Sequence, residues 1–203
     1  GTIGDMGGFS FYGNKIITTG EGGAVFFKNT KLRSKIYSLK NHGREKKGIF
    51  SHKIIGYNFM FTEMQAAIGN IQLKKLDKIL KKKRFIYDYY KTKLRHIKQI
   101  KFMENLRHNK PVYWFSNIVS KDKKKLKNFL FKNKIQTRDF FLPLNKQPCF
   151  SKNNIIKNIN NKFPISENLY KYGLSLPSSY ELSIKNLNYI VKKINLFYTK
   201  KTN

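Results

Sequence analysis

Acidic residues are what this chain has least of. Eleven Asp and Glu stand against 42 Lys and Arg in 203 residues, for a formal net charge of +31. No pair of His, Cys or carboxylate residues falls at metal-ligand spacing, so no metal site is expected. Cys149 is the single cysteine. An intrachain disulfide is therefore excluded, which suits a reducing compartment. No apolar run is long enough to span a bilayer, and no signal-peptide pattern opens the chain. A cytoplasmic protein that makes no membrane contact is expected.

What is present points to a globular chain. Hydrophobic residues make up 40% of the sequence and aromatics 15%, too many for a disordered polycation. Lys and Arg are spread along the whole length, together with abundant Asn and Ile. This is the mark of a composition bias more than of a nucleic-acid-binding face. Such a surface still attracts polyanions in a salt-dependent way. No helix-turn-helix or RNA-recognition signature supports a basic nucleic-acid module, which remains the alternative reading.

The informative stretch runs from Phe9 to Gly23. Lys15 sits there between an aromatic, strand-like run and a Thr/Gly loop. A lysine amine is nucleophilic only when neutral, which calls for a desolvated setting. Gly13, Gly20, Gly22 and Gly23 are expected to let backbone N–H groups approach an anion. From local chemistry alone, one lysine in so basic a chain is ordinarily a solvated charge.

The run SFYGNKIITTGEGGAV, Ser10 to Val25, resembles the lysine segment of the DegT/DnrJ/EryC1/StrS family of pyridoxal-phosphate-dependent sugar aminotransferases. The resemblance continues through NHGRE (Asn41–Glu45), IGYNFMFTEMQAAIGNIQLKKLD (Ile55–Asp77), IQTRDFFLPL (Ile135–Leu144) and LSLPSS (Leu174–Ser179), in the family's order. It implies an α/β protein of the fold-type-I pyridoxal-phosphate transferase class. Residues 1–84 match the C-terminal part of the large α/β/α cofactor-binding domain, and 85–203 the small C-terminal α+β domain. A long helix over about 62–94 is expected to join them.

The resemblance also implies roles. Lys15 matches the lysine that joins covalently to the pyridoxal 5'-phosphate aldehyde and then moves protons as base and acid. Ser10 matches a serine that hydrogen-bonds the cofactor phosphate. Asn58 matches an asparagine that reaches the phosphate of the neighbouring subunit, which implies a homodimer joined through the active site. His42, within NHG, matches a histidine on the substrate side. His52 has no counterpart role, and Glu21 reads as structural.

A lysine at position 15, where the family's sugar dehydratases carry histidine, implies an aminotransferase. ITTGEGG resembles members that aminate carbon 4 of a nucleotide-linked 4-keto-6-deoxy sugar, usually with glutamate as donor. FSFYGNK is nearest to the branch that makes perosamine from a GDP-linked sugar, for surface polysaccharide such as O-antigen. The basic surface suits an anionic substrate of that kind.

Two positions depart from the family. Met60 stands where many relatives have an anion-binding arginine, and Asn145 stands where they often have histidine. The chain opens at Gly1, inside the motif. The family's ring-nitrogen aspartate, its stacking aromatic and a phosphate-binding helix N-terminus all precede this point. The resemblance therefore implies a C-terminal fragment that is inactive alone. A degraded, non-catalytic remnant is the other reading.

Periodicity predicts the elements. Gly7–Tyr12 and Ala24–Phe27 read as short buried strands. Asn29 or Thr30 is expected to cap a helix to about Lys40, with Leu32, Ile36 and Leu39 on one face. Thr62 and Gln65 form a capping box. Val112–Val119 and Ile135–Phe141 read as strands. Ser120 is expected to cap a helix to about Asn133, and Gly173 to stop a helix begun near Ser166. Leu174–Leu176 reads as a strand, and Ser183 is expected to cap a last helix with Leu187, Ile190, Val191 and Ile194 inward.

Overall fold

The computed structural model describes residues 3–46, 48–104, 108–152 and 162–202. The chain divides into two compact units, Gly1–Ile79 and Leu80–Asn203.

In the first unit, β1 (Met6–Ser10) and β2 (Gly23–Phe27) pair as an antiparallel hairpin, with Ser10 opposite Gly23. Both strands were expected to be buried, but Met6 and Phe9 of the first are exposed, and Val25 and Phe26 of the second are each more than half exposed. A two-stranded ribbon has no second layer of its own, and nothing described in residues 3–79 covers this face. Helix α1 (Leu32–Lys40) follows. Its N-cap is Lys31, without a side-chain cap. Asn29 instead accepts the Lys31 N–H through Oδ1 at 3.0 Å, so it shapes the turn before the helix.

Helix α2 (Glu63–Lys74) starts at the expected capping box. Thr62 Oγ1 accepts the Gln65 N–H at 3.2 Å, and Gln65 Oε1 accepts the Thr62 N–H at 3.0 Å. The single long helix expected beyond it is broken at Lys75. There the backbone N–H turns back to the Gln72 carbonyl, and α3 (Leu76–Leu94) begins at the next residue. The apolar stripe of α2 is open: Met64, Ile68, Ile71 and Leu73 are all exposed.

The second unit holds the hydrophobic core. A four-stranded, wholly antiparallel sheet has the order β3 (Lys101–Phe102), β4 (Ser116–Val119), β6 (Gly173–Leu176), β5 (Arg138–Asp139). All four residues of β6 are buried, as a central strand requires. Ile86, Tyr90 and Leu94 of α3 pack with Ile118, Leu174 and Leu176 of the sheet. Leu126 and Leu130 come from α4 (Lys123–Lys132). Leu187, Ile190, Val191 and Ile194 come from α7 (Ile184–Thr202), all inward as expected. Each fully buried Leu or Ile stabilises the fold by about 1.5–3 kcal/mol, so this cluster dominates the unit.

Caps and ends show where local signals hold. Ser183 Oγ accepts the Asn186 N–H at 3.1 Å and starts α7 as expected. Ser120 lies two residues too early to be the N-cap of α4, which is Asp122. Ser120 Oγ accepts the Asp122 N–H and also bonds the Tyr198 hydroxyl at 2.8 Å. Two predicted strands are shorter than expected. A turn from Val112 to Trp114 precedes β4, and β5 pairs with β6 through only two residues at the sheet edge.

Helix α6 (Pro164–Tyr172) does end at Gly173, but not in a left-handed cap. Gly173 has φ −80° and is already the first residue of β6. A glycine is needed there because a Cβ would strike the Leu169 carbonyl and the Phe140 ring. A short 3-10 turn (Leu144–Lys146) and α5 (Pro148–Lys152) lie between β5 and α6. The polar run expected over Ser151–Lys162 falls mostly outside the described residues.

Candidate active site

The hairpin of the first unit presents Lys15. Its strands are joined by the loop Phe11–Gly22, and that loop is tied back on itself. The Phe11 N–H donates to the Gly22 carbonyl and the Thr19 N–H to the Phe11 carbonyl, each at 2.9 Å. Thr18 Oγ1 also donates to the Phe11 carbonyl, at 3.0 Å. The Lys15 N–H turns to the Tyr12 carbonyl at 3.0 Å. Lys15 is half-buried, and Ser10 lies exposed where β1 ends. Ser10 Oγ accepts only a long 3.4 Å bond from the Tyr12 N–H.

The start of α2 holds the same loop from outside. Gln65 Nε2 donates to the Glu21 carbonyl at 2.9 Å, and Thr19 Oγ1 donates to that carbonyl at 2.6 Å. Phe61 sits edge-on to Phe11, with centroids 6.2 Å apart. Gly22 has φ +134°, and a Cβ there would run into the Phe61 ring. Glu21 is thus structural through its backbone carbonyl rather than its carboxylate.

The glycines differ from expectation. The Gly20 N–H is taken by Thr18 Oγ1 at 2.9 Å, and Gly23 is paired in β2. The Gly20 N–H is therefore not available to an anion, and at Gly22 and Gly23 the lack of a side chain serves close packing against Phe61 and the Phe9 carbonyl. Sequence reasoning placed Gln65 only in the capping box and did not single out Phe61. The capping box that revealed Gln65 gives no hint that its amide also reaches back 44 residues to the lysine loop.

His42 and Asn58 meet in a second pairing. Asn41 and Asn58 form an isolated antiparallel bridge, and the His42 N–H donates to the Tyr57 carbonyl at 2.9 Å. Gly43 and Gly56 lie backbone to backbone, and a Cβ on Gly56 would meet the His42 carbonyl carbon at 2.7 Å. His42 adopts φ +58°, a left-handed conformation that a non-glycine residue holds only when its neighbours fix it. His52, left without a role by the sequence, is one of those neighbours. Its Nδ1 donates to the His42 carbonyl at 2.7 Å. The Asn58 side chain is exposed.

Met60 is 38% exposed, where an arginine would have offered an anion contact. Asn145 Nδ2 is buried with no acceptor among the described residues. Among those residues no cluster of three His, Cys, Asp or Glu is placed to hold a metal. Among the described residues no helix is long and apolar enough to cross a membrane. The donor set is an amine on a loop clamped from two sides, with an under-used hydroxyl five residues earlier. That set fits an aldehyde cofactor carrying a phosphate.

The comparisons place the chain in a family. The model of the DegT/DnrJ/EryC1/StrS aminotransferase family matches residues 1–195. A GDP-perosamine synthase from Escherichia coli O157:H7 is 36% identical over 99% of this chain and 54% of its own length. One from Vibrio cholerae is 34% identical over 88% of this chain and 48% of its own. The chain therefore spans about half the length of these relatives. The crystal structure of an aminotransferase from Streptoalloteichus hindustanus superposes with a TM-score of 0.89, covering 100% of this chain and 54% of that one at 21% identity. The fold is thus that of the fold-type-I sugar aminotransferases, and the chain belongs to the DegT/DnrJ/EryC1/StrS aminotransferase family.

Proposed function

We propose that the protein works as a pyridoxal-phosphate-dependent aminotransferase on a nucleotide-linked 4-keto-6-deoxy sugar, yielding the 4-amino sugar for surface polysaccharide. Glutamate is the proposed amino donor. The observation that carries this reading is the Lys15 loop, closed by its own backbone bonds and buttressed by Gln65 and Phe61. Similarity to GDP-perosamine synthases supports the sugar assignment.

Pyridoxal phosphate, when bound, supplies an aldehyde for an amine and an electron sink for the adjacent carbon. The residues of this chain supply position and proton transfer. Lys15 Nζ anchors the aldehyde. When free, this amine would take the proton from the donor α-carbon as base and deliver it as acid to the aldehyde-derived carbon of the cofactor within the same half-reaction, and it would do the reverse on the keto-sugar. Ser10 Oγ donates to the phosphate. The Asn58 amide reaches the phosphate of a second copy, which makes the working unit a homodimer. His42, fixed by His52, faces the sugar.

The test is covalent trapping. The protein is mixed with pyridoxal phosphate, reduced with borohydride, digested and mapped by mass. The expected result is a reduced cofactor adduct on the peptide carrying Lys15 and none there in Lys15→Ala. Labelling scattered over surface lysines, with position 15 unmodified, would overturn the reading.

A further inference from the structure

Thr19 is the only buried residue of the loop 11–22, at 5% exposure. Two of its groups hold the loop shut. Its N–H donates to the Phe11 carbonyl at 2.9 Å, which closes the segment carrying Lys15. Its Oγ1 donates to the Glu21 carbonyl at 2.6 Å. The third group, the methyl Cγ2, lies against α2, where a Cβ built on Gly69 would meet it at 3.1 Å.

Gly69 follows Gln65 by four residues, so both share one face of α2. On that face Gln65 reaches the Glu21 carbonyl, and Gly69 leaves a notch for the Thr19 methyl. A glycine inside a helix ordinarily weakens it, so its place here calls for a reason in packing. The notch supplies one. Carbon–carbon contacts are comfortable at about 3.5–4.0 Å, and the Thr19 methyl has little freedom to retreat. Threonine is stiff at χ1, and turning the methyl away would carry Oγ1 off the Glu21 carbonyl.

We propose that Thr19 is a positioning residue of the lysine loop, a hook that seats in the Gly69 notch and fixes the reach of Lys15 relative to α2. The proposal rests on the aminotransferase reading above and names the side chain through which the helix sets the lysine. Thr19 touches neither cofactor nor substrate in this role. It acts through the Phe11 carbonyl and the residues 12–18 that its N–H encloses.

Two readouts report on Lys15 independently. The first needs no cofactor: brief labelling with acetic anhydride, read by mass as the ratio of Lys15 to Lys185, an exposed lysine of the second unit. The second is the rate of borohydride trapping with pyridoxal phosphate. Gly69→Ala is expected to displace the methyl, raise the labelling ratio and slow trapping about three- to tenfold, the scale of a sub-ångström misplacement at a reacting group. Thr19→Val keeps the shape but loses the hydroxyl and should act in the same direction. Thr19→Ser keeps the hydroxyl and drops the methyl, so alone it should stay near wild type. Combined with Gly69→Ala it should restore both readouts, because the clashing methyl is gone. Thr62→Ala, which weakens the start of α2 without touching Thr19, should leave both unchanged.

Labelling ratios in Gly69→Ala and Thr19→Val equal to wild type would overturn the proposal. So would failure of Thr19→Ser to rescue Gly69→Ala, or an equal shift in Thr62→Ala, which would mark a general loosening of the helix. If Gly69→Ala fails to fold, the contrast between Thr19→Val and Thr19→Ser decides the matter. A labelling response without cofactor trapping sinks the aminotransferase reading alone, whereas trapping that ignores these substitutions sinks the Thr19 hook alone.

Discussion

Lys83 donates its amine to the Ser178 carbonyl at 2.6 Å, across 95 residues of chain, and to the Trp114 carbonyl at 3.2 Å. No carboxylate balances it among the described residues. Tyr90, two turns further along α3, donates to the Pro177 carbonyl at 2.9 Å. Together they pin the segment leaving β6 and the turn entering β4 to one helix.

Replacing Lys83 by Met is expected to destabilise the second unit by about 1–2 kcal/mol near neutral pH, because two partly buried carbonyls lose their donor. Burial lowers the Lys83 pKa from its usual 10.5. The unfolded chain therefore binds the extra proton between the lowered pKa and 10.5. The contribution of Lys83 is fully present above 10.5 and falls as pH drops through the lowered value. The gap between wild type and Lys83→Met should widen from neutral pH towards 10, as read by urea unfolding of both proteins at each pH.

Asp139→Asn tests the paired lysines at the sheet edge. Burial alone would push this carboxyl up, but hydrogen bonds from Lys127 and Lys123, with their charges, outweigh it and hold the group below 3.8. The carboxylate is 41% exposed, so solvent screening limits its contribution to about 0.5 kcal/mol. That contribution is complete above 3.8 and disappears as pH falls through the folded-state value. Wild type and variant should unfold alike in strong acid and differ at pH 7.

Thr62→Ala and Gln65→Ala separate helix capping from loop support. Either loss should destabilise the start of α2 by about 1 kcal/mol. Only Gln65→Ala also removes the amide that ties the Glu21 carbonyl to α2, leaving that carbonyl to Thr19 Oγ1 alone, so only it should slow borohydride trapping at Lys15. Equal trapping rates in the two variants would remove Gln65 from the support of the loop.

Gly56→Ala places a Cβ against the backbone of His42 and Gly43. Rigid backbone cannot yield as a side chain can, and a loss of about 2–3 kcal/mol is expected. Thermal melting checks the size of the loss. Chemical-shift change confined to His42, His52 and Asn58 checks its location.

Ser10→Ala should leave melting within about 0.5 kcal/mol of wild type, as for other exposed sites. It should nonetheless weaken retention of pyridoxal phosphate during dialysis, and unchanged retention would free Ser10 of the phosphate role.

The second unit was the more legible half in the sequence. Leu126, Leu130, Leu187, Ile190, Val191 and Ile194 keep helical spacing and meet partners within the same 124-residue unit, so periodicity alone places them. Thr62 and Ser183 could be read because a cap is a contact over three residues. The Lys75 break could not, since neither glycine nor proline marks it. Val25 and Phe26 looked buried because strand patterning reports a face that seeks cover, not whether cover is present. Lys83 was invisible among so many basic residues. What singles it out is a pair of distant carbonyls.

The uneven distribution of buried apolar side chains has a kinetic consequence. Amide protons of α7 and the C-terminal half of α3, wrapped around the sheet, should exchange with deuterium last, through opening of the whole second unit. Those of α2, whose apolar stripe faces solvent, should exchange orders of magnitude sooner. Lys75 is where protection should change from one regime to the other, within a single turn.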